Sequence, residues 1–130
     1  MITEDYVSFE TAKLLKEKGF DEPCALTEFD CDAYKKWVET APRPITLDAE
    51  SEKPFRYSVP SIYVAMKWIR KKHNLYIDPY PEDNNTWCLI IWELYPKCVK
   101  QCKGKYDDLS YLTPEEACEA AIRYCLEKLI

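Results

Sequence analysis

Three stretches of the chain place their apolar residues at helical spacing, and one continuous apolar run has the character of a strand. From about 9 to 18, Thr11, Ala12, Leu14 and Leu15 gather on one side, with Glu10, Lys13, Lys16 and Glu17 on the other. That pattern predicts a short surface helix covering an apolar layer. Ser8 is placed to accept from the open amides of the first turn. Gly19 stands where a left-handed residue ends a helix, with Phe20 as the apolar contact of that cap. A second helix is predicted over 62–73 behind Ser61. In it Ile62, Ala65, Met66 and Ile69 share one face, Lys67, Arg70 and Lys71 the opposite flank, and Asn74 closes the end. The clearest helix start is Thr113-Pro114-Glu115-Glu116: Thr caps, Pro at the first position loses no useful amide, and Glu closes a capping box. The helix predicted over 114–129 sets Ala117, Cys118, Ala121, Ile122, Cys125 and Leu129 against Glu116, Glu119, Arg123 and Glu127.

Residues 86–95 (TWCLIIWELY) are aromatic and β-branched and apolar on both faces, so they predict a central strand buried on both sides. The preceding LYIDPYP has strand propensity, but Pro79 and Pro81 confine it to an edge or end it early. Asp83-Asn84-Asn85 supplies the turn of a hairpin between the two. Residues 24–30 alternate weakly, as a strand does, while 34–39 suit either a strand or a short helix. The stretch 40–60 carries four prolines with Asp48, Glu50 and Glu52, and reads as a long connection, the least core-like part of the chain. Residues 96–112 read as irregular or edge-like. The expected architecture is a single α+β domain spanning 1–130. A small antiparallel sheet forms around 86–95, with helices near 9–18, 62–73 and 114–129 packed on it.

Composition narrows the chemistry. The 130 residues are 47% hydrophobic and 32% charged, which suits one globular domain. Two glycines leave no room for a Gly-rich phosphate loop of either common kind, and one histidine excludes an HExxH site. No cofactor is expected. Glu4 and Asp5 stand where a signal peptide would be basic, and the strongest apolar run, 87–92, is far shorter than the ~18–20 residues of a membrane span. A cytoplasmic protein with no membrane partner is expected, its seven cysteines reduced. Cys118 and Cys125, about 10.5 Å apart along a helix, are too far apart for a disulfide and suit the core. Cys98 and Cys102 form a lone C-x3-C pair that His73 or Cys88 would have to complete into a zinc site. Strong zinc signatures come as two pairs, so no metal is expected, and Cys98, Cys102 and His73 are only weak candidates.

The net charge of −5 is unevenly spread. Six basic residues and no acid lie in 53–73, and four basic residues and no acid in 97–105. Phe55, Tyr57, Tyr63, Trp68, Tyr76 and Tyr106 are interleaved with them or lie beside them. Basic stretches with aromatics suit single-stranded nucleic acid, phosphate on the cations and bases on the rings. Stretches 53–73 and 97–106 are therefore a candidate nucleic-acid surface, with Lys67, Arg70, Lys71, Lys97, Lys100, Lys103 and Lys105 as its cations. Against this, the helix cations also form the ordinary solvated flank of an amphipathic helix.

Two blocks, VSFETAKLLKEKGFDEPC (7–24) and EEACEAAIRYCLEKLI (115–130), resemble the ends of a group of small uncharacterised proteins of gut Bacteroidales bacteria and their phages and mobile elements. PSIYVAMKWIRKKHNLYI (60–77) is similar to the middle block of the same group. The resemblance implies an α+β fold and a mobile-element setting, and no chemistry. Without a cofactor motif or an acid–base constellation, the chain reads as a non-enzymatic accessory protein. Its 18 aromatic residues, more than a small core needs, point to a protein–protein interaction module. Nucleic-acid binding is the alternative, and an oligomeric structural protein the third reading.

Overall fold

The structure, a computed structural model, describes residues 2–40, 53–82, 85–94, 99–100 and 110–130. Helix α1 spans Phe9–Glu17, capped as expected by the Ser8 hydroxyl, which accepts from the Thr11 amide. At its other end Gly19 adopts φ +100°. The Gly19 amide donates to the Lys16 carbonyl and the Phe20 amide to the Leu15 carbonyl, so both bonds of a Schellman motif are made. Phe20 is thereby turned into the core, its ring edge-on to Trp68 at 5.4 Å.

Strand β1 (Thr27–Phe29) and strand β2 (Arg56–Ser58) pair antiparallel as a small sheet. Between them the ambiguous segment is a helix, α2 (Cys31–Thr40). Asp30 decides this by capping it, its carboxylate accepting from the Ala33 amide at 3.1 Å. Tyr34 of α2 packs against Phe29, Trp37 and Phe55, an aromatic cluster that closes this end of the molecule.

The expectation of a bare connection over 40–60 is corrected from residue 53 onward. A single 3₁₀ turn, Lys53–Phe55, leads into β2, and Val59 and Pro60 are buried. Pro60 has no amide to satisfy, and its carbonyl accepts from Val7, so burial leaves nothing unpaired. Residues 41–52 lie outside the described residues.

Helix α3 (Ile62–His73) starts at Ser61, whose hydroxyl accepts from Val64, and stops at Asn74 in the left-handed region, φ 56°. Its buried face is Ala65, Trp68 and Ile69, with Ile62 and Met66 only partly covered. The face is rotated from the expected one toward Trp68, where Phe20 waits.

Strand β3 (Leu75–Pro81) runs antiparallel to β4 (Trp87–Glu93) over seven paired positions, and the short β5 (Val99–Lys100) pairs on the far side of β4. The order β3-β4-β5 makes β4 central and β3 an edge strand among the described residues. The Leu94 amide donates to Asn74 and the Glu82 amide to Thr86, so the even-numbered residues of β3 carry the bonds to β4. Pro79 and Pro81 therefore turn their nitrogens to the outer edge and cost the ladder nothing. That is how a strand holds two prolines.

Helix α4 (Pro114–Tyr124) is capped by Thr113, which accepts from the Glu116 amide, and continues through one π turn, Cys125–Leu129, to the expected end. It contacts both β3 and β4, while α1 packs on α4 and β2. The core joins Leu15, Ile69, Ile77, Leu89, Ile91, Ile122 and Leu126, all fully buried. The protein is a small α+β fold with helices on one side of its main sheet.

Candidate functional site

Side chains alternate along a strand, so β3 and β4 each present two rows. One row holds Leu75, Ile77, Leu89 and Ile91 and belongs to the core beneath α3 and α4. The other holds Tyr76, Asp78 and Tyr80 on β3 and Cys88, Ile90 and Trp92 on β4, continued by Leu94. β4 is central, as expected, and none of its residues is exposed; its inner row lies in the core, while its outer row is buried at Cys88 and partly buried at Ile90 and Trp92. Tyr76 is 40% exposed, Tyr80 36% and Leu94 39%, while Ile90 and Trp92 are half-buried. In register, Tyr76 sits opposite Trp92, Asp78 opposite Ile90 and Tyr80 opposite Cys88. The outer face is thus a ladder of apolar and aromatic pairs with one carboxylate at its centre.

One end of this face is closed. Cys88 is 2% exposed yet lies outside the core cluster. Burial pushes its thiol up, and the neighbouring Glu82 carboxylate adds to the effect. Ser110 donates to Glu82 at 3.3 Å, and Trp87 and Tyr111 exchange backbone bonds beside it. Toward the other end Tyr76 and Leu94 are exposed, with Trp92 half-buried between them.

The cations named from sequence lie elsewhere. Lys67 and Lys71, joined by Lys72, line a groove of about 340 Å³ with Val64 and Trp68, against Glu22 and Pro23. Arg70 is half-buried and outside that lining. Tyr63 stays exposed one turn before Lys67, but the other described aromatics do not gather there. Phe55 belongs to the α2 cluster, Tyr57 packs edge-on to Phe9 beneath Lys16, Trp68 is buried, and Tyr76 is on the sheet. Lys100 is in β5 opposite Trp92. Lys97, Lys103 and Lys105 lie outside the described residues, as do Cys98 and Cys102.

His73, the remaining metal candidate, packs edge-on to Trp68 at 5.1 Å, and burial holds its ring below the ordinary imidazole range. Among the described residues no three His, Cys, Asp or Glu side chains are grouped to hold a metal ion. Cys118 and Cys125 are core thiols, pushed by burial up to about 11 and about 12. Glu119 forms a clasp between helices: one oxygen accepts from the Ser8 amide (3.1 Å), the Ser8 hydroxyl (2.7 Å) and the Thr11 hydroxyl (2.6 Å). It places a carboxylate at the positive end of α1 and ties the start of the fold to its last helix.

The sequence signal for the outer face was present in the two-sided apolarity of 86–95, which reads equally as a doubly buried strand. Comparison with protein-family models, with curated proteins and with solved structures returns no match in any of the three. No helix among the described residues is long and apolar enough to cross a membrane.

Proposed function

We propose that the protein is a non-enzymatic binding module that docks another protein on the outer face of its main sheet. The observation that carries this reading is the chemistry of that face. An antiparallel sheet covered on one side normally turns polar residues to the other, yet six of these seven positions are apolar or aromatic, and Tyr76 and Leu94 stand well exposed. Tyrosine and tryptophan are favoured at interfaces because a large apolar body ends in a polar tip. The resemblance of 7–24, 60–77 and 115–130 to small Bacteroidales mobile-element proteins supports an accessory role in a phage or mobile element, acting in the cytoplasm.

The test is capture from the native host with the wild-type chain, with Tyr76→Glu and with Lys67→Glu/Lys71→Glu, each first shown to fold by circular dichroism. A protein held by the wild type and the lysine variant but lost by Tyr76→Glu supports the reading. Equal capture by all three removes it. The lysine groove, with Tyr63 beside Lys67, favours nucleic acid as a second reading. Binding of single-stranded probes that falls steeply with salt and disappears in the lysine variant would establish that reading instead.

A further inference from the structure

Charge is separated along the outward surface of α3. At the start of this helix, Ile62, Tyr63 and Met66 wall a groove of about 320 Å³ with an acidic rim, Glu4 and Asp5 on the first segment of the chain and Glu115 on α4. The Asp5 carbonyl accepts from the Ile62 amide, which holds that segment against the helix. Toward the other end stand Lys67, Arg70, Lys71 and Lys72, and the helix itself carries no acid. None of these seven charged side chains has an ion-pair partner among the described residues.

Helix dipoles account for part of the pattern. Glu115 is in the first turn of α4, and Arg70, Lys71 and Lys72 are in the last turn of α3. They do not account for Glu4 and Asp5, which precede every helix, or for Lys67, which stands before the last turn. Tyr63 walls the acidic groove one turn before Lys67 and is 64% exposed. A face with a negative and a positive pole is complementary to itself, because a two-fold rotation that exchanges the poles brings each onto its opposite. Both contacts are then made twice. The net charge of −5 on each copy opposes other approaches, so the poles also select the orientation. A basic partner would satisfy the groove alone and an acidic one the lysines alone. A second copy satisfies both.

We propose that the face formed by α3 and the segment before α1 is the interface of a two-fold symmetric dimer of this chain. Glu4, Asp5 and Glu115 of each copy meet Lys67, Arg70 and Lys71 of the other, with Tyr63 as apolar contact between them. The inference goes beyond the binding-module reading and does not use the outer sheet face. Exposed ion pairs are individually weak and screened by salt, so the dimer is weak and salt-sensitive.

The experiment is sedimentation equilibrium of the full, nuclease-treated chain from about 1 to about 200 μM, in about 20 mM and about 500 mM salt. The wild type should approach twice the mass of one chain at low salt and return to one at high salt. Lys67→Glu/Lys71→Glu and Glu4→Lys/Asp5→Lys, each shown to fold by circular dichroism, should remain monomers alone. Their equimolar mixture should dimerise again, because each reversed pole then faces the other's native or reversed opposite. Tyr76→Glu should dimerise as the wild type does. A wild type that stays monomeric, or a mixture that does, overturns the proposal. So does a mass that grows past two chains, since the contact is then not two-fold. A dimer present only before nuclease treatment overturns it in favour of nucleic acid on the lysines. One lost in Tyr76→Glu overturns it too, and places self-association on the outer sheet face instead.

Discussion

The two faces of the β3–β4 sheet are made of similar residues and do opposite things. Ile91 and Ile90 are adjacent in the chain, equal in size, and both held by β4. One is fully buried beneath the helices and the other half-exposed on the outer face. The difference arises in connectivity, since α3 leads directly into β3 through Asn74 and α4 returns to the same side. Apolar surface on the inner face is therefore spent on folding, and that on the outer face is only partly covered.

The sharpest way to break this comparison is to truncate both isoleucines. Ile91→Ala should cost about 2–5 kcal/mol of unfolding free energy, because it leaves a cavity in a closed core. Ile90→Ala should cost less, about 1–2 kcal/mol, because its side chain is only partly buried. Urea unfolding of the two variants measures this directly, and equal losses would mean that the outer face is a second core. Next in size is the edge. Pro79→Val with Pro81→Val restores two donors on the outer edge of β3 without touching the ladder to β4. The melting temperature should hold while sedimentation detects self-association at high concentration. A melting temperature that falls would mean that those nitrogens face β4.

Much of the inner face was legible because its signals are local. Ser8, Ser61 and Thr113 each announce a helix within three residues of themselves, and Gly19 with Phe20 announces the end of one. What was not legible depends on partners distant in the chain. Helix α2 needs Asp30 as its cap and Phe55 as a packing partner for Tyr34, and β2 exists through its pairing with β1, about 30 residues away. The outer face failed for a different reason. A partly covered apolar row and a fully buried one have the same pattern in sequence. Of the candidate cations, Lys67 and Lys71 share a groove as their spacing implies. Lys72 was overlooked, because it leaves the flank drawn on the helical projection yet still reaches the rim.

Thiol chemistry sharpens the comparison along the length of the outer face. At pH 8, site-resolved alkylation should modify the exposed Cys31 readily. Cys118 and Cys125 should be far slower, because burial shields them and pushes their thiols up to about 11 and about 12. Cys88 should side with the core pair although it lies on the outer row, because burial and Glu82 both oppose its thiolate. Rapid modification of Cys88 would show that the outer face is open at both ends and would lengthen the docking surface.

The smallest expected effect tests whether the two faces differ in charge as well as burial. The clearest titrating contact lies outside both, where Lys13 meets Asp30 at 2.8 Å. The Lys13 hydrogen bond, and then the Ala33 amide, hold the Asp30 carboxyl below its ordinary value. A carboxyl lowered in the fold contributes stability that is complete above its unfolded value of about 3.9 and lost as pH falls through the folded one. Asp30→Asn keeps a capping side chain for α2 but removes the charge. The gap in urea midpoint between wild type and Asp30→Asn should therefore be open near neutral pH and close on acidification below about pH 4. Ile90→Ala and Ile91→Ala should keep the wild-type acid slope while differing in height. If either one alters that slope, a titrating group is coupled to that face, and the contrast between the faces is electrostatic as well as steric.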